Sequence, residues 1–186
     1  ALGAFEAVQE GFGTDGLMEL LKTGVSGFTT EEISALENYA FLWRLNGQGW
    51  RQPFTRHPRG FGQELTPQDQ QELDRLNALR ERLVPPLERF AQSTKEATGQ
   101  QLSQAVYQLL MDFGLEESLP EYCRRLELAG EDGLAARQLR VWNLLMETLD
   151  QMYRILGDRL TPRERFYRLL REVMAGEDVS DIPQTV

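Results

Sequence analysis

Arg140-Val-Trp-Asn-Leu-Leu-Met-Glu-Thr-Leu-Asp-Gln-Met-Tyr-Arg-Ile-Leu156 decides the fold class. Its large apolar side chains at Trp142, Leu145, Leu149, Met152 and Leu156 step by three and four, the spacing that stacks residues on one face of a helix. The same stepping recurs in Ile33, Leu36, Ala40 and Trp43, and in Leu76, Leu79, Leu83, Leu87 and Phe90. Leu102, Val106, Leu109 and Phe113 repeat it, as do Phe166, Leu169, Leu170 and Val173. Residues 1–10 also read as helix, and shorter helices are expected over 16–23 and 119–129. No alternating β-branched run bounded by turn residues occurs, so no sheet is predicted.

Helix starts are written in side chains that satisfy the free first-turn amides. Thr29 with Glu32, Thr98 with Gln101, Ser118 with Glu121, and Thr161 with Glu164 fit the capping box, and Thr66-Pro67 and Thr161-Pro162 place proline at a first helical position. Pro85 and Pro86 interrupt the long segment 66–98, where a missing amide and a ring clash predict a kink. The expectation is all-α: an irregular bundle of about six to seven helices in one domain over 1–186, with a proline-kinked long helix and one long loop at 47–65.

Composition narrows function. The hydrophobic share of 41% and charged share of 26% are those of a globular chain. No apolar run approaches the roughly 20 residues of a membrane span, and no signal segment opens the chain, so no membrane partner and a cytoplasmic location are expected. Cys123 is the only cysteine, which excludes an internal disulfide and any multi-cysteine metal site. Ala1 stands where an initiator Met is absent, which points to a piece excised from a larger protein. A net charge of −9 argues against general binding to phosphate backbones, although a local basic strip is compatible with it.

Gly11-Phe-Gly-Thr-Asp-Gly16 carries the letters of a dinucleotide fingerprint, but that motif needs a strand before it, and residues 1–10 read as helix. A turn with a helix cap is the expectation, and no ATP site in this chain. His57 is the sole histidine and sits between Arg56 and Pro58 without an evident nucleophile or carboxylate, so it reads as a solvated loop residue. Cys123 reads as a small buried apolar residue. Paired carboxylates such as Glu31-Glu32 and Glu116-Glu117 lie near helix starts, where they offset the dipole. Asp178-Val-Ser-Asp181 is too sparse for a metal loop. No catalytic, cofactor or metal residues are assigned.

Two arginine groups remain. Arg51, Arg56 and Arg59 alternate with Trp50, Phe54 and Phe61, a pattern that suits single-stranded nucleic acid, whose bases stack on aromatics beside a basic groove. Arg51, Arg56, Arg59 and Trp50 are therefore the candidate DNA contacts. Arg163, Arg165, Arg168 and Arg171 lie on the last helix, and there a solvated, ion-paired face is expected.

Three ordered segments resemble one family. Leu20-Leu-Lys-Thr-Gly24, Glu31-Glu-Ile33 and Leu36-Glu-Asn-Tyr39 with Trp43, Gly47 and Trp50 form the first. Arg80-Glu-Arg-Leu-Val-Pro-Pro-Leu-Glu-Arg-Phe90 forms the second, and Arg140-Val-Trp-Asn143 with Leu149-Asp-Gln151 and Leu156-Gly-Asp158 the third, closed by Ile182-Pro-Gln-Thr185. Together they are similar to the AddB-type family of ATP-dependent helicase/deoxyribonucleases, at a helical insertion in the second helicase-like domain. The resemblance implies a non-catalytic structural or interaction domain of a two-subunit machine that processes double-stranded DNA ends for recombinational repair. It implies an AddA-type partner, DNA as substrate, and ATP, magnesium and a 4Fe-4S cluster elsewhere in the parent protein. Where relatives carry basic residues between the two tryptophans, this chain has Asn46, Gln48 and Gly49, which weakens any DNA grip there. A free-standing helical adaptor for a protein partner is the alternative reading.

Overall fold

A computed structural model describes residues 1–23, 26–61 and 64–180, with side chains to 176. Gly24 of the first motif, the terminal Ile182–Thr185 and Asp181 lie outside the described residues. The described residues form helices α1 (Leu2–Gln9), α2 (Thr14–Leu21), α3 (Thr30–Trp43), α4 (Gln48–Arg51), α5 (Pro67–Ser93), α6 (Gly99–Asp112), α7 (Leu115–Leu128), α8 (Asp132–Leu156) and α9 (Arg163–Ser180). No strand occurs among them; one isolated antiparallel bridge links Thr98 and Leu160. The all-α expectation holds. The count exceeds six or seven: the short helices expected at 1–10 and 16–23 are both present as α1 and α2, and α4 adds one turn inside the stretch expected to be irregular.

Thr29, Thr66 and Thr98 each accept from the backbone N–H three residues on, while the side chain there reaches back to the cap amide. For Thr66 the returning group is Asp69, one methylene shorter than the usual Glu. Ser118 does not cap. Ser118-Leu-Pro-Glu imitates a helix start because proline favours a first turn, but α7 begins earlier, after Gly114 in the left-handed region (φ 67°), and Pro120 falls inside it. Thr161 also departs from the box, its hydroxyl donating to the carbonyl of Arg159.

The glycine motif at 11–16 is a pair of helix ends. Phe12 N–H donates to Ala7 O (2.8 Å) and Gly11 N–H to Val8 O (3.2 Å), the two bonds of a Schellman C-cap, and both residues have φ of 70°. Gly13 then precedes α2. Phe12 carries this conformation although it is not glycine, and its ring is wholly buried.

α5 is the spine. It spans 27 residues, about 40 Å at 1.5 Å per residue, and passes through Pro85 and Pro86, which deprive the Glu81 and Arg82 carbonyls of their ladder donors. Leu83, Val84 and Leu87 are fully buried, and α1, α3, α4 and α6 pack around them. α6 packs on α8, and Gly99 makes this approach feasible, since a Cβ there would fall 2.1 Å from Leu156 Cβ. α1, α5 and α9 meet where Phe5 stands edge-on to Phe90 (4.9 Å) and stacks on Phe166 (6.2 Å). One continuous core joins these helices. α7 packs only on α6 and α8, and its contact with α8 encloses a separate small cluster of Leu119, Cys123 and Ala135, bordered by Leu126 and Trp142.

Candidate nucleic-acid interface

The 47–61 stretch is pinned to α3 and α5 by polar side chains. Phe54 N–H donates to Asn77 Oδ1 (2.7 Å), and Asn77 Nδ2 donates back to Phe54 O (2.9 Å). Tyr39 Oη donates to Arg56 O (3.0 Å) and accepts from Arg56 N–H (3.1 Å). Trp43 Nε1 donates to His57 O (3.0 Å). Such bonds satisfy the backbone of an irregular segment that runs beside the core.

Trp50 is the clearest departure from the sequence reading. It is 0% exposed, its indole Nε1 donating to Thr14 Oγ1 (2.9 Å), so neither face is open to stack a base. Thr14 in turn donates to Leu45 O. Phe54 is also buried, 4.6 Å from the Tyr39 ring and 5.8 Å from that of Trp50. Alternation of aromatic and basic residues here reflects a segment with one side in the core, because large aromatics contribute most where they lose water. Of the three aromatics, only Phe61 is exposed, at 82%, with its ring 4.5 Å from that of Trp43.

All three candidate arginines face internal partners. Arg51 pairs with Glu88 (3.3 Å) and lies over the Phe12 ring at 4.4 Å. Arg56 lies over the Trp43 ring at 5.1 Å and donates to Trp43 O (3.4 Å). Arg59 grips Asp69 through Nε (2.7 Å) and a terminal nitrogen (2.5 Å).

His57 is not solvated, as the sequence suggested, but buried at 8% exposure. Its Nδ1 accepts from Arg59 N–H (3.0 Å), and its Nε2 lies 3.5 Å from Asp69 Oδ2 without a hydrogen-bond partner among the described residues. The carboxylate was not evident in the sequence because it lies twelve residues on, in the first turn of α5. Asp69 is 2% exposed, and its carboxyl is held down at about 2, first by the Thr66 hydroxyl and amide and then by Arg59, against the opposing effect of burial. This cluster fastens the 47–61 stretch to the start of α5. Arg80 is a second buried charge, at 5% exposure, paired with Glu81 and donating toward Trp50 O at 3.5 Å, with Nε unpartnered.

On α9 the pattern differs. Arg163 lies 4.0 Å from Glu164, and Arg171 lies 5.6 Å from the Tyr167 ring centre. The side chains of Arg165 and Arg168 are exposed and make no ion pair or hydrogen bond among the described residues. The face is solvated as expected, but these two members are not ion-paired. Cys123 is 4% exposed, and burial raises its thiol above the usual range. Among the described residues, no group of three or more His, Cys, Asp or Glu could hold a metal, and no helix is long and apolar enough to cross a membrane.

No protein-family model matches the chain. It is 25% identical over its full length to the B component of the ATP-dependent helicase/deoxyribonuclease of Alkaliphilus metalliredigens, covering 17% of that protein. It is 27% identical, again over its full length, to the same-named protein of Ruminiclostridium cellulolyticum, covering 16%. For the Moorella thermoacetica protein the identity is 29% over 90% of this chain and 15% of that protein. The chain therefore spans about a sixth of the length of these relatives.

Proposed function

We propose that this chain is a structural and interaction region of the AddB-type component of an ATP-dependent helicase–nuclease, non-catalytic in itself, within a machine that processes double-stranded DNA ends for recombinational repair. The observation that carries this reading is similarity along the whole chain to a limited region of relatives that share one name, that of an ATP-dependent helicase/deoxyribonuclease component. Motif order supports it too, since the three resembling segments fall on α2–α4, α5 and α8, the helices that build the core.

The geometry favours a scaffold. The polar groups of the 47–61 stretch are spent on holding that stretch in place: Arg59 on Asp69, Asn77 on Phe54, Tyr39 on Arg56. Rigid helices with fixed ends present surfaces to other domains and to a second protein. ATP, magnesium and the iron–sulfur cluster belong, on this reading, to other parts of the parent protein, and the partner is an AddA-type motor.

The purified 186-residue chain is expected to hydrolyse neither ATP nor DNA, while the complete two-subunit enzyme degrades duplex ends in an ATP-dependent way. Leu87→Ala, a cavity in the α5 core, should lower the yield of assembled enzyme and leave turnover per assembled complex unchanged. ATPase or nuclease activity intrinsic to the isolated chain would overturn the proposal.

A further inference from the structure

We infer that the exposed arginine row of α9, rather than the arginines of the 47–61 stretch, is a docking surface for the phosphodiester backbone of duplex DNA. The inference rests on the reading above and names the surface that this region contributes.

Free positive charge is scarce. The chain carries net charge −9, and its arginines are largely committed, as in Arg59 with Asp69, Arg82 with Glu32 (2.6 Å) and Arg89 with Asp112 (2.8 Å). Arg165 and Arg168 are exposed and unpaired among the described residues. Glu164 and Glu172 stand at the i±4 spacing of helical ion pairs, yet neither engages Arg168. Arg171 continues the row. At the head of α9, Lys95 and Arg163 line a depression of about 480 Å³ together with Glu96 and Glu164, so charge there is balanced and the cationic row is that of Arg165, Arg168 and Arg171.

Spacing fits a polyanion. Arg165 to Arg171 rises about 9 Å along the helix axis, and phosphates of one strand follow at about 3.4 Å of rise along the duplex axis, so the row is long enough to reach two or more phosphates. The opposite side of α9 is fixed, because Phe166 and Leu170 are wholly buried, and a guanidinium held on a rigid helix binds phosphate through paired N–H groups at reduced entropic cost. Helical periodicity puts Glu164, Glu172 and Ala175 on the arginine face and no large apolar side chain, so the buried anchor that a protein interface needs is missing there. Duplex is favoured over single strand because base stacking requires open aromatic faces, and of the α9 aromatics Phe166 is buried and Tyr167 is half-buried and bonded to Glu6. Acidity elsewhere repels DNA from other faces and orients the encounter.

The test is fluorescence anisotropy of the 186-residue chain with a labelled blunt duplex between 50 and 200 mM salt. R165Q/R168Q should weaken binding at the low-salt end about tenfold or more and flatten the plot of log affinity against log salt by about 2. R75Q, which removes one arginine from a surface pair with Glu31, is the control for charge loss at a paired site and should change neither; helical content by circular dichroism guards against misfolding. No duplex binding by the wild-type chain, an unchanged slope in R165Q/R168Q, or equal weakening by R75Q would each overturn the inference. So would tighter binding of a single strand, or loss of AddA-type partner capture by R165Q/R168Q without any effect on DNA. Those outcomes leave the scaffold reading standing, since that reading falls only to catalytic activity in the isolated chain.

Discussion

Asp69 shows how much one side chain can organise. It accepts from the Thr66 amide (3.0 Å) and hydroxyl (2.5 Å), receives two nitrogens of Arg59, and lies 3.5 Å from His57 Nε2. A capping residue thus also anchors the preceding loop. The carboxyl titrates at about 2 in the fold, below the value near 3.9 of an unfolded Asp. A depressed folded value means the ionised form is favoured by folding, so the stabilisation is complete above pH ~4 and is lost as pH falls toward 2. Asp69→Asn should therefore be less stable than the parent near neutrality in urea titrations, with a gap that narrows between pH 4 and pH 2. A gap of constant size down to pH 2 would show that the charge is not the source. His57 departs from its expected exposure for a related reason: sequence distance says nothing about a carboxylate that the chain reversal brings alongside.

Elements were legible where local chemistry alone sets them. Threonine caps at Thr29, Thr66 and Thr98 and the apolar rows of α3, α5, α6 and α8 depend on neighbours within one or two turns, so their spacing survives in the sequence. Legibility ends where a local signal competes with a longer-range one. Ser118 and Pro120 imitate a start, yet Leu119 and Cys123 are buried against Ala135, and that packing extends α7 back to Leu115. The Trp50 segment is similar, because a loop with one face in the core has no period to reveal it.

The end of α3 was equally hidden. Arg44 sits in the left-handed region (φ 48°), closing the helix as a Schellman cap in which Leu45 N–H donates to Ala40 O (2.9 Å) and Arg44 N–H to Phe41 O (3.3 Å). A Cβ in that conformation costs about 1 kcal/mol relative to glycine, while glycine loses part of the gain through its freer unfolded chain. Arg44 is exposed, and its side chain has no partner among the described residues. Arg44→Gly is thus expected to stabilise by roughly 0.5–1 kcal/mol, raising Tm by about 1–4 °C in a chain of this size. A lower Tm would mean that the arginine makes a stabilising contact outweighing its backbone strain.

At the scale of the whole molecule, cohesion is uneven. The main core ties α1 to the first turns of α9 through Phe5, Phe90 and Phe166. The α7–α8 hairpin is different: three fully buried side chains, Leu119, Cys123 and Ala135, hold α7 to the first half of α8, while Leu128 is 79% exposed near the tip. Local opening free energy follows the apolar surface that opening exposes, so this hairpin should part without unfolding the rest. Amides of α7 and of residues 132–140 are expected to exchange at least about tenfold faster than those of the buried turns of α5 and α6, equivalent to roughly 1.4 kcal/mol or more in opening free energy. The Cys123 thiol reports the same event independently, because it is shielded and raised by burial, and alkylation requires the hairpin to open. Its rate should rise in low urea before the main unfolding transition seen by far-ultraviolet circular dichroism. Coincident protection across α5 and α7, with alkylation tracking only the global transition, would show instead that the small cluster and the main core unfold as one unit.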